Sequence, residues 1–302
     1  PAGIELPDGV NFCGVELPSA PSQTDLRDAR ALSPSGPRLL KIAAEADQAF
    51  YNMFDDVGLA QSYILTLIAT VSDIYERDIN TRLLVQFLRV WDAGGEPFSA
   101  DELGTLGSYW YNNEDPSPYN IIHLFSGRRD LPYGGVAYVG GTCSGFATYS
   151  ITGFLNGGFP HPFGAPSSAN WDVIVVAHEM GHNCGTYHTH DGYTPIIDDC
   201  GNGTPSRGTI MSYCHIHAGY TANIDLNMHR LVEAVIEDNL DNGGCFSRDC
   251  NGNNIPDLLD ISGGASADLN GNNVPDECED CNNNGILDPQ DIINGAPDCS
   301  TT

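Results

Sequence analysis

Lysine is nearly missing from this chain: Lys41 stands alone, and 12 basic residues face 40 acidic ones, for a net charge of −28. No basic run occurs anywhere in the 302 residues. Duplex DNA, RNA and anionic membrane faces all reward clustered Lys and Arg, so no nucleic-acid partner is expected. No stretch of 18 consecutive apolar residues occurs either, so no membrane span is expected. The first twenty residues lack a cationic start and carry prolines at positions 1, 7 and 18, which is not the pattern of a signal peptide. Cysteine, by contrast, is plentiful. Ten in 302 residues suits an oxidising compartment, and 41% apolar residues are too many for a disordered chain. The expectation is a processed, secreted monomer, extracellular or periplasmic, large enough for a catalytic domain plus an appendage.

Texture divides the chain into three. Residues 1–37 hold six prolines and read as an extended segment. Residues 38–247 alternate strand and helix patterns. Strands are expected at 39–44, 83–91, 120–125, 135–139 and 147–154, and helices at 59–78, 99–112 and 169–183. Ser99 and Glu102 form a capping box for the second helix. That alternation predicts an α/β (α+β) domain with helices packed on a sheet. Residues 248–302 form a separate module: from Asp249 onward there are eleven Asp or Glu and no Lys or Arg. The chain before Asp249 still carries −17, which fits either solubility or a preference for cationic substrates.

The sharpest local pattern is His178-Glu179-Met180-Gly181-His182-Asn183-Cys184-Gly185-Thr186-Tyr187-His188. Histidines at i and i+4 share one helix face, so His178 and His182 can hold one zinc ion together, while Glu179 can reach a water on that metal. Gly185 can adopt the left-handed backbone that ends a helix and swings His188 back as the third ligand.

The full H-E-x-x-H-x-x-G-x-x-H string resembles the metzincin zinc proteases. Gly208-Thr209-Ile210-Met211-Ser212-Tyr213 resembles their methionine turn, with Met211 as a packing support. Within that clan the likeness is to the adamalysin or reprolysin-like branch over residues 38–247. It is carried by Asn183, by Tyr75-Glu76-Arg77-Asp78-Ile79-Asn80, and by Gly134-Gly135-Val136-Ala137-Tyr138-Val139-Gly140 followed by Cys143. The resemblance implies a twisted mixed sheet with a small C-terminal subdomain below a zinc cleft. It also implies an edge strand over Gly135, Val136, Ala137, Tyr138 and Val139 against which a protein or peptide substrate pairs antiparallel, and a Cys143–Cys245 disulfide. Tyr213 sits where related enzymes place a tyrosine able to approach the metal. The implied activity is hydrolysis of peptide bonds, with Glu179 as general base. Two positions depart from the pattern. Lys41 stands where some relatives use an acid to hold calcium, so no ion is expected there. His190, two residues past the third ligand, is expected beside the site and not on the metal.

Two further features widen the possibilities. Cys13, in Phe12-Cys13-Gly14-Val15, resembles the propeptide cysteine that blocks such zinc sites; the alternative is an ordinary disulfide. Cys184 can be free or can pair with Cys200 or Cys214. In the tail, three 12-residue windows place oxygen side chains at positions 1, 3, 5, 9 and 12. They are Asp249, Asn251, Asn253, Asp257, Asp260; Asp268, Asn270, Asn272, Asp276, Glu279; and Asp280, Asn282, Asn284, Asp288, Asp291. This is calcium-loop spacing, for about three Ca²⁺. It resembles thrombospondin type 3 or dockerin repeats, stapled by Cys250, Cys278, Cys281 and Cys299, with a poor helix former at 261–267. The expected function is a secreted zinc endopeptidase whose tail contacts a surface or another protein. The alternatives are a zymogen held latent by Cys13, and a calcium-dependent adhesion protein with an inert protease fold.

Overall fold

A computed structural model describes residues 11–13, 36–92, 95–98, 103–142, 148–200, 207–243, 246–253, 255–269 and 274–279. Its elements are β1 (Asn11–Cys13), β2 (Arg38–Ala46), α1 (Gln48–Tyr51), α2 (Val57–Ile79), β3 (Thr81–Val90), α3 (Leu103–Asn113), β4 (Ile121–Phe125), β5 (Tyr133–Ala137), β6 (Thr148–Thr152), α4 (Trp171–Asn183), α5 (Arg230–Gly243), β7 (Ser247–Arg248) and α6 (Asp257–Gly263). Among the described residues the strands form one mixed sheet in the order β1-β5-β6-β4-β2-β3, with β7 also paired to β2. β2, β3, β4 and β6 run parallel; β5 is antiparallel to β6.

The buried strand in the middle reads as parallel strands do, without alternation: Leu39, Leu40, Ile42, Ala43, Ala44 and Ala46 are all fully buried. Helix α2 begins where Asp56 caps the N–H of Leu59 at 2.8 Å, and ends at Asn80 with φ +45°. It is long and apolar enough to cross a membrane by length and composition. Its stripe of Ala60, Ile64, Leu67, Ile68, Val71 and Tyr75 is instead buried in the core. All thirteen residues of α4 are buried, so this helix runs through the interior. Two hydrogen bonds fix it to α2: Tyr75 donates to the Ala177 carbonyl at 2.8 Å, and Tyr63 donates to Asp172 at 2.6 Å.

The expected strands and helices are present with small boundary shifts, and three differences matter. The strand expected over 135–139 is Tyr133–Ala137, so Tyr138 and Val139 lie beyond its end. It is not a free edge, because β1 pairs with it in parallel, Asn11 opposite Tyr133 and Cys13 opposite Gly135. Within the stretch read as a poor helix former, residues 261–263 complete α6. Pro256 starts that helix, and Asp257 and Asp260 in its first turn favour the positive end of the helix dipole. The capping box at Ser99 and Glu102 lies outside the described residues.

The acidic tail is joined directly to the sheet. β7 pairs antiparallel with the start of β2, Arg38 opposite Arg248 and Leu39 opposite Ser247. The ladder continues through the Asp249 N–H to the Pro37 carbonyl at 3.2 Å. Asp241 on α5 accepts from Arg38 at 2.8 and 2.9 Å and from Arg248 at 3.3 Å.

Candidate metal centre and active site

The burial of α4 places His178, Glu179 and His182 inside the protein with no exposure. Gly185 then takes φ +100°, its N–H bonds back to the His182 carbonyl at 2.8 Å, and any Cβ there would strike Asn239. The chain therefore turns under α4 and returns His188. Its Nε2 lies 3.0 Å from that of His182, which in turn is 3.2 Å from that of His178. Three ligands each 2.0–2.1 Å from one tetrahedral zinc stand about 3.3 Å apart, so this spacing fits the ion.

The donor chemistry fits as well. His178 Nδ1 faces the Ile210 carbonyl at 2.8 Å and His182 Nδ1 faces the Thr186 carbonyl at 2.9 Å. Those acceptors assign the proton to Nδ1 and leave the Nε2 lone pairs pointing inward. Burial, reinforced by the neighbouring imidazoles, holds His178 well below its ordinary pKa and His182 down at about 3, so both rings are neutral and able to bind a metal.

Met211 is fully buried, and its role is packing: Gly181 on α4 leaves room for its sulfur, which would lie 2.7 Å from any Cβ at that position. Its carbonyl accepts from Thr189, tying the turn to the loop that carries His188. Tyr213 lies with its ring 4.6 Å from that of His188 and 4.4 Å from that of His190. His190 stacks on His188 at 5.3 Å, beside the triad. Burial holds the pKa of His215 down at about 3; its ring lies 5.7 Å from Tyr213 and 6.3 Å from Trp171.

Gly135 on β5 lets Glu179 approach the sheet, since a Cβ there would stand 2.6 Å from Glu179 Cδ and nearer still to Oε1. Asn183 donates to the carbonyls of Tyr138 at 3.0 Å and Tyr149 at 3.1 Å, and Gly140 donates to the His182 carbonyl at 2.9 Å. The end of α4 is thereby stitched to the strands beside it. Cys200 and Cys214 form a disulfide; Cys184 is the free, buried cysteine among the described residues, its thiol pushed up to about 12 by burial. The side chain of Cys13, and both Cys143 and Cys245, lie outside the described residues.

In the first acidic window Asp249, Asp257 and Asp260 are all buried. Asn251 and Asn253 donate to Asp260 at 3.0 and 2.8 Å, and Asp257 accepts from the Cys250 N–H at 2.8 Å. Of the second window, Asp276 accepts from the Leu269 N–H and Glu279 is buried, while Asn270 and Asn272 lie outside the described residues, as do Asp280, Asn282, Asn284, Asp288 and Asp291. A Cys250–Cys278 disulfide joins the first window to the second.

Three residues that help build the centre gave little sequence signal. The orienting carbonyls of Ile210 and Thr186 belong to the backbone, which every residue has. Asp191, whose carboxylate lies 3.5 Å from His188 Nδ1, looks in the sequence like any surface acid.

A family model described as Reprolysin_5, metallo-peptidase family M12, matches residues 36–227. Human disintegrin and metalloproteinase domain-containing protein 11 is 29% identical over 142 residues, covering 46% of this chain and 17% of that protein. Rat disintegrin and metalloproteinase domain-containing protein 1 is 26% identical over 153 residues, covering 49% and 18%. The chain thus spans under a fifth of the length of these relatives. Among solved structures, metalloproteinase-II from Bacteroides fragilis aligns with 78% of this chain and 57% of its own, at 11% identity and a TM-score of 0.41. Because the family model takes in well over half of the sequence, from the start of β2 past all three histidines and the methionine turn, the chain belongs to metallopeptidase family M12.

Proposed function

We propose that this chain is a secreted zinc endopeptidase, with His178, His182 and His188 as the metal ligands and Glu179 as the general base. The observation that carries this reading is the convergence of three Nε2 atoms within 3.0–3.2 Å of their neighbours, two of them on the helix that also places Glu179. Zinc supplies Lewis-acid polarisation of a peptide carbonyl and acidifies water. Glu179 takes the proton from the attacking water and passes it to the leaving amine. With β1 displaced, the outer backbone groups of β5 would receive an extended substrate, a form of strand addition. Tyr213, whose ring packs against those of His188 and His190, would supply its hydroxyl to the charge that develops on the substrate carbonyl. The three acidic windows are proposed as calcium loops; the burial of Asp249, Asp257 and Asp260 in one short segment supports the first of them.

The test is Glu179→Gln. Zinc content should stay at one per chain while hydrolysis of a denatured protein substrate falls by about 10²–10⁴-fold, the usual range for loss of a general base. A variant that cleaves at the normal rate overturns the assignment.

One observation favours a second reading, latency. β1 occupies the outer side of β5, where a substrate would pair, with Cys13 opposite Gly135 and Gly135 against Glu179. If residues 1–37 hold the enzyme off, cutting them away raises the rate. A rate that stays unchanged removes this reading and leaves the first in place.

A further inference from the structure

A histidine that binds metal through Nε2 carries its proton on Nδ1, and a buried N–H needs an acceptor. His178 and His182 meet that need with backbone carbonyls from Ile210 and Thr186. His188, only 4% exposed, meets it differently. Its Nδ1 lies 3.5 Å from Asp191 Oδ1, three residues further along a turn closed by the Gly192 N–H to the His188 carbonyl at 2.9 Å. The other oxygen of Asp191 lies 3.6 Å from His190 Nε2. The His190 ring is nearly parallel to that of His188, at 9° and 5.3 Å, so one carboxylate bridges two stacked imidazoles.

We propose, on the basis of the zinc reading above, that Asp191 is a positioning residue for the metal. Its carboxylate accepts the Nδ1–H of His188, holds that ring in the tautomer that ligates through Nε2, and makes it the most strongly donating of the three ligands. His190 steadies the far oxygen. The present separation is an ion-pair distance, longer than a tight hydrogen bond. A cation on Nε2 makes the Nδ1–H a stronger donor and draws the carboxylate in. The contrast with the other two ligands is physical. Their acceptors are neutral, buried and part of the backbone, whereas Asp191 is a full negative charge on a side chain that is 45% exposed. One of the metal's three supports is thus a side chain that a substitution can remove.

Zinc affinity reads this directly, by competition of the purified chain against a chromogenic chelator. Outer partners of metal-binding histidines are typically worth 10–100-fold in affinity. Asp191→Ala and the isosteric Asp191→Asn should therefore bind zinc 10–100-fold more weakly, with circular dichroism unchanged, and the visible bands of the cobalt-substituted protein should shift. Asp191→Glu should recover most of the affinity, and the exposed control Asp130→Asn should match the parent. Parent-like zinc affinity and cobalt bands in both Asp191→Ala and Asp191→Asn overturn the proposal. If the parent chain itself takes up no zinc, it is the metallopeptidase reading that falls, together with everything built on it.

Discussion

Gly135 illustrates how much of this centre depends on atoms that are missing. Its bare Cα is what allows Glu179 to lie against β5; an added methyl meets three atoms of that side chain. Gly135→Ala should therefore displace the base and lower kcat at least tenfold, while thermal stability shifts little; an unchanged kcat would show that Glu179 has room to move aside. The i, i+4 histidines, the glutamate between them and the helix-ending Gly185 were legible in the sequence because helix geometry converts their spacing into a shared face. The contact between Gly135 and Glu179 was not. It joins residues 44 positions apart on different elements, and a glycine in a strand gives no sign of what it makes room for.

Among the elements, α4 was legible because Val173 to Ala177 run apolar without a break up to His178, and α2 because its apolar residues keep a helical period. The end of β5 was misread because the glycine-rich stretch has little strand propensity and its limit is set elsewhere. Tyr138 donates one more ladder bond to Tyr149 at 3.1 Å, and then Gly140, at φ +71°, turns to reach the end of α4. How α4 is held makes a pH prediction. Asp172 sits in its first turn, fully buried, and accepts from Tyr63 and from the N–H groups of Asn156 and Gly157. Burial outweighs those hydrogen bonds and pushes its pKa up to about 6, from an ordinary value of 3.8. Between those values the folded chain keeps a proton that the unfolded chain has released. The stabilisation from this group is therefore full below about pH 4 and is lost as the pH rises through 6. Asp172→Asn lacks the titration. Its melting temperature relative to the parent should rise between pH 4 and 7, and a difference that stays flat with pH would refute the shift.

For the whole molecule, the change in composition at residue 248 was legible in the sequence, but the contacts that tie the acidic tail to the sheet were not. Arg82 pairs with Glu76 at 2.7 Å and with buried Asp249 at 3.4 Å, so an acid expected at position 1 of a calcium loop also touches the catalytic part. If the acidic windows hold calcium, removing it should be felt beyond the tail. With calcium at 100 times its dissociation constant, linkage contributes about 2.7 kcal/mol per site. Adding the calcium-selective chelator EGTA should lower the melting temperature of the intact chain by several degrees, reversibly on adding calcium back. A catalytic transition indifferent to EGTA would mean that the module rides on the domain without supporting it.

The joint between β7 and β2 has a mechanical consequence. The strands are antiparallel, so the segment before Arg38 and the segment after Arg248 leave the sheet side by side. A pull that separates those flanks does not load the rungs together. It unzips them in turn, first the bond from Asp249 to Pro37, then Arg38 from Arg248, then Leu39 from Ser247, with Asp241 letting go of its two arginines along the way. The ladder between β2 and β3 shares that load from Arg38 onward, whereas the ladder between β2 and β4 begins only at Ile42. Force would therefore open the molecule first at this seam.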